Sequence, residues 1–261
     1  MYMSWTSRRK SRITLVFFCI VAIFAGFLIF PIVTRTPTCF DGRHNGNELG
    51  IDCGGECALQ CTQFTQDVNI KWQRSYPIVK GFYNAVAYVE NQNFQAGTKQ
   101  IKYKFKLYDK DRVLIAERDG ETFIEPNRGF VVLEQQIPVG ESVPLYTTFT
   151  FTDPIALYKT DDRYDDLVVA VTNQLLSTQD IKPRFSATLK NTSDTHTISA
   201  IDAYVVLYDE EDNAIQVGKT RVTELSPREE KNIFIVWQNK FEKKPVRFEV
   251  IPRYNPFTQT Y

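Results

Sequence analysis

The sequence predicts an all-β protein: two tandem β-sandwiches behind one N-terminal transmembrane helix and a small disulfide-rich module. Three observations predict it. A charge-free apolar run extends from Ile13 to Val33, four cysteines fall within the 23 residues from Cys39 to Cys61, and strand-like alternation recurs 100 residues apart in the remainder.

Residues 1–12 read as a basic cytoplasmic tail and residues 13–33 as the membrane helix. The run holds Phe17, Phe18, Ile20, Val21, Ile23, Phe24, Phe27, Leu28, Ile29 and Phe30, with Thr14 as its polar exception. At 1.5 Å per residue it spans about 30 Å, the thickness of a hydrocarbon core. Arg8, Arg9, Lys10 and Arg12 precede the run and Arg35 alone follows it. That bias puts the N-terminus in the cytoplasm and the later residues outside the cell membrane. A cleaved signal peptide is the rival reading, but its apolar region runs only about 7–15 residues and ends at a small-x-small site. This run is longer and lacks such a site, so an uncleaved, single-pass signal anchor is expected. Formal charge is zero overall, yet beyond Arg35 there are 26 basic against 31 acidic residues. An acidic remainder offers no basic footprint for nucleic acid or anionic lipid.

Residues 36–62 form the cysteine module. Cys19 lies inside the apolar run as a packing residue, which leaves Cys39, Cys53, Cys57 and Cys61. An even count in an exported segment reads as two disulfides with three pairings open. Zinc is the alternative, but C-x2-C pairs are absent and an oxidising compartment disfavours free thiolates. Five glycines between Cys39 and Cys57 call for tight turns rather than a hydrophobic core. The oxygen-bearing side chains of Asp41, Asn45, Asn47, Glu48 and Asp52 either make those turns or ligate calcium, for which they are the hard donors. Their spacing is not that of an EF-hand, and His44 is expected to face solvent.

Residues 65–160 and 165–255 are expected to be the sandwiches, joined by the charged stretch 160–166 and followed by a short tail, 256–261. In Ile101-Lys-Tyr-Lys-Phe-Lys-Leu-Tyr-Asp109 the apolar residues alternate with Lys102, Lys104 and Lys106. A period of two makes a half-buried antiparallel strand with a solvated lysine face. Leu107-Tyr108-Asp109 recurs as Leu207-Tyr208-Asp209, and Glu90-Asn91 as Lys190-Asn191. Repeats of this length, with short evenly spaced strands, predict two sandwiches of about 100 residues. Leu107 and Leu207 should sit in the cores. Asp109 and Asp209 should open matching turns, since a catalytic pair would not recur at the same hairpin in both copies.

Both regions resemble known families. Cys39 to Cys61 is similar to a bacterial cell-surface module of the form C-x-D-G-x-x-N-G-x-E-x-G-x-D-C-G-G-x-C-x-x-C, with three residues instead of two before Cys61. The resemblance implies a surface stalk without an activity of its own. Phe105-Lys-Leu107-Tyr108-Asp109 resembles the FxLYD family of bacterial exported domains, itself similar to the β-sandwich of late-embryogenesis-abundant type; the second copy has Val205 in place of the Phe. That resemblance covers about residues 65–255 and implies immunoglobulin-like, extracytoplasmic, non-catalytic domains of the bacterial envelope.

Catalytic motifs are missing: there is no H-E-x-x-H, G-x-S-x-G, Walker loop or G-x-G-x-x-G. The two histidines, His44 and His196, lie in different modules. Glu117, Asp119 and Glu121 are where paired carboxylates for glycoside hydrolysis would be sought, although their alternation reads as a solvated face. Tyr146, Phe149, Phe151 and Tyr158, with Tyr254, Phe257 and Tyr261, either pack in cores or form a glycan platform. The expected class is therefore not an enzyme. It is a membrane-anchored extracytoplasmic structural or interaction protein that contacts an envelope protein. A calcium-dependent surface adhesin or glycan-binding protein is the alternative. No cofactor is required, calcium being the one ion the module's donors suit.

Overall fold

The computed structural model describes residues 5–33, 36–178 and 182–259. Arg35 and Tyr261, both used above, lie outside the described residues. Trp5–Val33 forms one α-helix of 29 residues (α1). Among the described residues, however, no helix is long and apolar enough to cross a membrane. The expected single-pass anchor at 13–33, with a cytoplasmic N-terminus and domains outside the cell membrane, is corrected accordingly.

The chain divides into two compact units, 1–57 and 58–261. Among the described residues the second unit holds thirteen antiparallel strands, and the two halves of the repeat share it. The first half contains β1 (Asn69–Val79), β2 (Phe82–Asn91), β3 (Ala96–Tyr108), β4 (Leu114–Ile124), β5 (Arg128–Pro138), β6 (Tyr146–Phe151) and β7 (Tyr158–Lys159). The second contains β8 (Val169–Ser177), β9 (Arg184–Asn191), β10 (Ile198–Tyr208), β11 (Ala214–Leu225), β12 (Glu230–Val236) and β13 (Arg247–Arg253). Short 3-10 turns lie at Thr62–Phe64 and Asp162–Asp166. The sheets run β1-β2-β5 and β4-β3-β6 in the first half, with β7 on β3, and β11-β10-β13 and β12-β9-β8 in the second.

These four sheets enclose three cores. Ala85, Val89, Phe105, Leu107 and Phe130 fill the first sandwich, and Phe185, Leu189, Val205, Leu207 and Ile235 fill the second. A third core lies between the sandwiches. There Tyr76, Val86 and Val131 of the β1-β2-β5 sheet meet Tyr204, Val206 and Ile251 of the β11-β10-β13 sheet. The sequence explains which strands are buried on both faces. β3 alternates lysines with apolar residues and keeps one face in water, whereas β10 reads Ile-Asp-Ala-Tyr-Val-Val-Leu-Tyr and is buried from Ile201 to Tyr208. A continuous apolar run is the mark of a strand covered on both sides.

A buried ion pair fastens the third core. Arg253, 2% exposed, donates from Nε to Glu125 Oε2 at 2.8 Å, from Nη1 to Val131 O at 2.7 Å and from Nη2 to Phe123 O at 2.8 Å. Its guanidinium also stacks over Phe123 and Phe130. A planar group with several donors in a fixed fork suits such a site, where a lysine would leave carbonyls unmet. Tyr88 and Tyr208, one from each half, share Glu249 as acceptor at 2.9 and 2.8 Å.

Candidate functional site

The cysteine module has to hold its shape with little core, and it does so through disulfides and carboxylates. Cys39 and Cys57 are bonded, Cys53 and Cys61 are also disulfide-bonded, and Cys19 is free. The Cys39–Cys57 bond selects one of the three pairings open to the four cysteines. Asp52, at φ 56°, turns its carboxylate back to accept from Asp41 N at 3.0 Å and Gly42 N at 2.9 Å. Asp41 in turn accepts from Arg43 N at 2.9 Å and from Asn45 Nδ2 at 2.8 Å, the amide contact being the main reason its carboxyl titrates low. Glu48 Oε2 accepts from Asn45 N and Asp52 N, both at 3.3 Å. Asn47 Nδ2 donates to Glu56 at 2.7 Å, and the His44 ring contacts Glu48 O at 3.0 Å. Gly55 is required here, since a Cβ would stand 1.8 Å from Asn47 O.

Four of the five residues expected to ligate calcium, Asp41, Asn45, Glu48 and Asp52, therefore belong to one hydrogen-bonded knot, with Asn47 bonded to Glu56 beside it, and the oxygens of Asp41, Glu48 and Asp52 are engaged with N–H donors. Asn45 Oδ1 is the exception, buried without a partner. Among the described residues, the one gathering of three thiol, imidazole or carboxylate groups is Cys39, Glu48 and Cys57. Its sulfurs are bonded to each other and offer no thiolate.

In the second unit the repeat appears as matched geometry. Asp109 Oδ1 accepts from Asp111 N at 2.9 Å and Val113 N at 2.8 Å; Asp209 Oδ1 accepts from Glu211 N at 3.1 Å and Asn213 N at 2.9 Å. Arg112 and Asp212 then take left-handed backbone at φ 62° and 59°. Asp209 also meets Lys243 at 2.8 Å, which holds its carboxyl down at about 2. Asn91 and Asn191 are fully buried, and each donates to the carbonyl five residues on and to the end of the next-but-one strand.

The lysine stripe and the carboxylate row prove to be one feature. Register sets Lys102 opposite Glu121, Lys104 opposite Asp119 and Lys106 opposite Glu117. Lys104 reaches both Glu117 (3.3 Å) and Asp119 (3.2 Å). Opposite charges across a strand pair are a solvated ladder. His196 contacts Thr195 Oγ1 at 2.8 Å within its own loop. Of the aromatics, Phe149 and Tyr254 are buried, Phe151 and Phe257 half-buried, and Tyr146 and Tyr158 exposed.

Two features were not anticipated from the sequence. One is the Arg253–Glu125 pair. The other is a cleft of about 770 Å³ between β1 and the adjoining edges of β11 and β12. Gly218 allows its wall to close, since a Cβ would lie 2.4 Å from Ile235 Cγ2 and 2.9 Å from Trp237 Cζ2. Phe234 and Val236, 65% and 54% exposed, line it from β12. Phe234 and Leu175 flank Ser186 in one cross-strand row, and Leu175 is also 65% exposed. Consecutive polar and apolar letters in β12 hinted at an uncovered face, but nothing local shows that three strand edges meet there.

No family model matches the chain, and no curated protein matches it. Among solved structures, red sea bream transglutaminase matches with 7% identity and a TM-score of 0.25, covering 74% of this chain and 30% of that one. The chain thus spans under a third of that structure's length, and a TM-score of this size carries no argument.

Proposed function

We propose that the chain is a non-catalytic interaction protein. In this reading two immunoglobulin-like sandwiches of FxLYD type, locked face to face, present a sheet surface to a protein partner in an oxidising compartment. The observation that carries the reading is the row Leu175–Ser186–Phe234, whose two apolar members stand 65% exposed on a free sheet face. The apolar rows that face the sandwich cores are buried, and an exposed one marks a contact surface. The groups a catalytic reading would need are otherwise engaged. The acids opposite the lysines form the ladder, and Asp109 and Asp209 hold turns. Disulfides support the oxidising compartment. The matched turns of the two halves support the FxLYD and immunoglobulin-like assignment. The test is photo-cross-linking from position 234 in the full chain, in the cells that make it, with position 104 on the charged face as control. A discrete adduct from 234 and none from 104 is expected. Adducts from 104 alone, or from neither, would refute the reading.

A second reading, a calcium-dependent adhesin, is favoured by one observation, the buried and unpartnered Oδ1 of Asn45. It requires that calcium raise the melting temperature of the full chain.

A further inference from the structure

We propose that the cleft between β1 and the β11 and β12 edges receives an extended, uncharged peptide segment of the partner, which adds as a strand by displacing side-chain amides that now cap those edges. The proposal rests on the interaction reading above and specifies the chemistry of the contact.

β1, β11 and β12 each have a single sheet neighbour, β2, β10 and β9. Each therefore carries a row of main-chain N–H and C=O groups that no strand satisfies, the template on which strands are added. Within the cleft, side chains meet several of these groups. Gln216 Oε1 accepts from Val217 N at 3.2 Å, and Asn239 Nδ2 donates to Ile78 O at 2.6 Å. Ala214 O takes Arg74 Nη1 at 2.9 Å and Tyr76 Oη at 2.8 Å. A primary amide has the same donor and acceptor as a peptide group. An incoming main chain can thus replace Gln216 and Asn239 bond for bond, leaving Val217 N and Ile78 O still met.

Charge argues for a neutral segment. The cleft's Arg74 is held by Asn213 Oδ1 at 3.0 Å, Lys243 by Asp209 at 2.8 Å and Lys219 by Asp202 at 2.8 Å. Lys240 and Glu242, also in the lining, offset each other, so among the described residues Arg74, on neutral acceptors, is the one lining charge without a counter-charge, too little to select an anionic ligand. Phe234 and Val236, two residues apart on β12, offer apolar contact at the spacing with which an extended peptide presents alternate side chains.

The probe is a random dodecapeptide library on phage, panned against the full chain, with recovered peptides synthesised and titrated by calorimetry. Neutral peptides with alternating apolar residues are expected. Their affinity should fall about tenfold or more with F234S, and likewise when alternate peptide nitrogens are methylated. Q216A and N239A should each strengthen binding several-fold, because each removes a competing amide. A gain on truncation is not what a packing or folding defect produces, and N-methylation leaves the protein untouched. Binding that survives N-methylation, or that weakens with Q216A and N239A, overturns the proposal, as does a library yielding no peptide that competes at the cleft. If position 234 still cross-links to a partner under those outcomes, the interaction reading stands and strand addition falls.

Discussion

The same three-stranded sheet occurs twice in this chain and meets two fates. In β1-β2-β5 the face turned away from its own sandwich carries Val86, Tyr88, Val131 and Leu133, and the second sandwich covers it. In β8-β9-β12 the register-equivalent positions are Ser186, Thr188, Asn232 and Phe234. Here Thr188 Oγ1 meets Asn232 Oδ1 at 2.9 Å and Asn173 Nδ2 at 3.2 Å, a polar row suited to water. Backbone pairing is alike in the two copies, so the side chains on one face decide whether a sheet docks. The duplicated motif makes two sandwiches, and substitutions on one face make them a single unit with one end free.

The sharpest break in the comparison is at Arg253. R253M takes the 2.8 Å partner from fully buried Glu125 and leaves it only Arg128 at 3.8 Å, at a cost of about 3–5 kcal/mol in urea unfolding. R253M/E125L, which removes both charges, should recover most of that loss. Next come reciprocal exchanges at equivalent positions. V131N puts an amide into the third core and should cost about 2–4 kcal/mol, whereas N232V on the free face should stay within about 0.5 kcal/mol. Equal effects would mean that the two faces are not differently covered.

Where the halves are alike, their mutants should be alike. N91A and N191A each strand buried carbonyls and should each cost about 1–3 kcal/mol. A large effect in one half only would break the equivalence of the repeat. Acid then separates the paired turns. Asp209, held at about 2 chiefly by Lys243, has a folded pKa below the ~3.9 of an unfolded aspartate. It therefore adds stability above about pH 4 that is lost as the pH falls towards 2. D209N should flatten the dependence of melting temperature on pH in that window. The smallest effect is expected from chelation: with the carboxylates of Asp41, Glu48 and Asp52 taken up by N–H groups, EDTA should leave the melting temperature unchanged.

Local chemistry was legible in the sequence where it fixes local structure. Period-two alternation placed Ile101, Tyr103, Phe105 and Leu107 in the core and the lysines outside, and the Leu-Tyr-Asp repeat located matching turns. Sheets packed as sandwiches followed. Long-range features were not legible. Lys104 and Asp119 appear as separate stripes until register sets them opposite each other. Arg253 and Glu125 are 128 residues apart, and no local pattern pairs them. The cleft depends on three strand edges converging, which no single stretch encodes. Apolarity in residues 13–33 was read as a membrane span, and that reading did not hold for the described helix.

Native-state hydrogen exchange across a urea series, followed by mass spectrometry on the full chain, addresses the locked sandwiches directly. Peptides from β3 and β10, the core strands of the two halves, should lose protection at the same urea concentration, because the third core and Arg253 couple them. Loss of β10 protection well before β3, or the reverse, with a folded half left behind, would show two independent sandwiches and contradict the account.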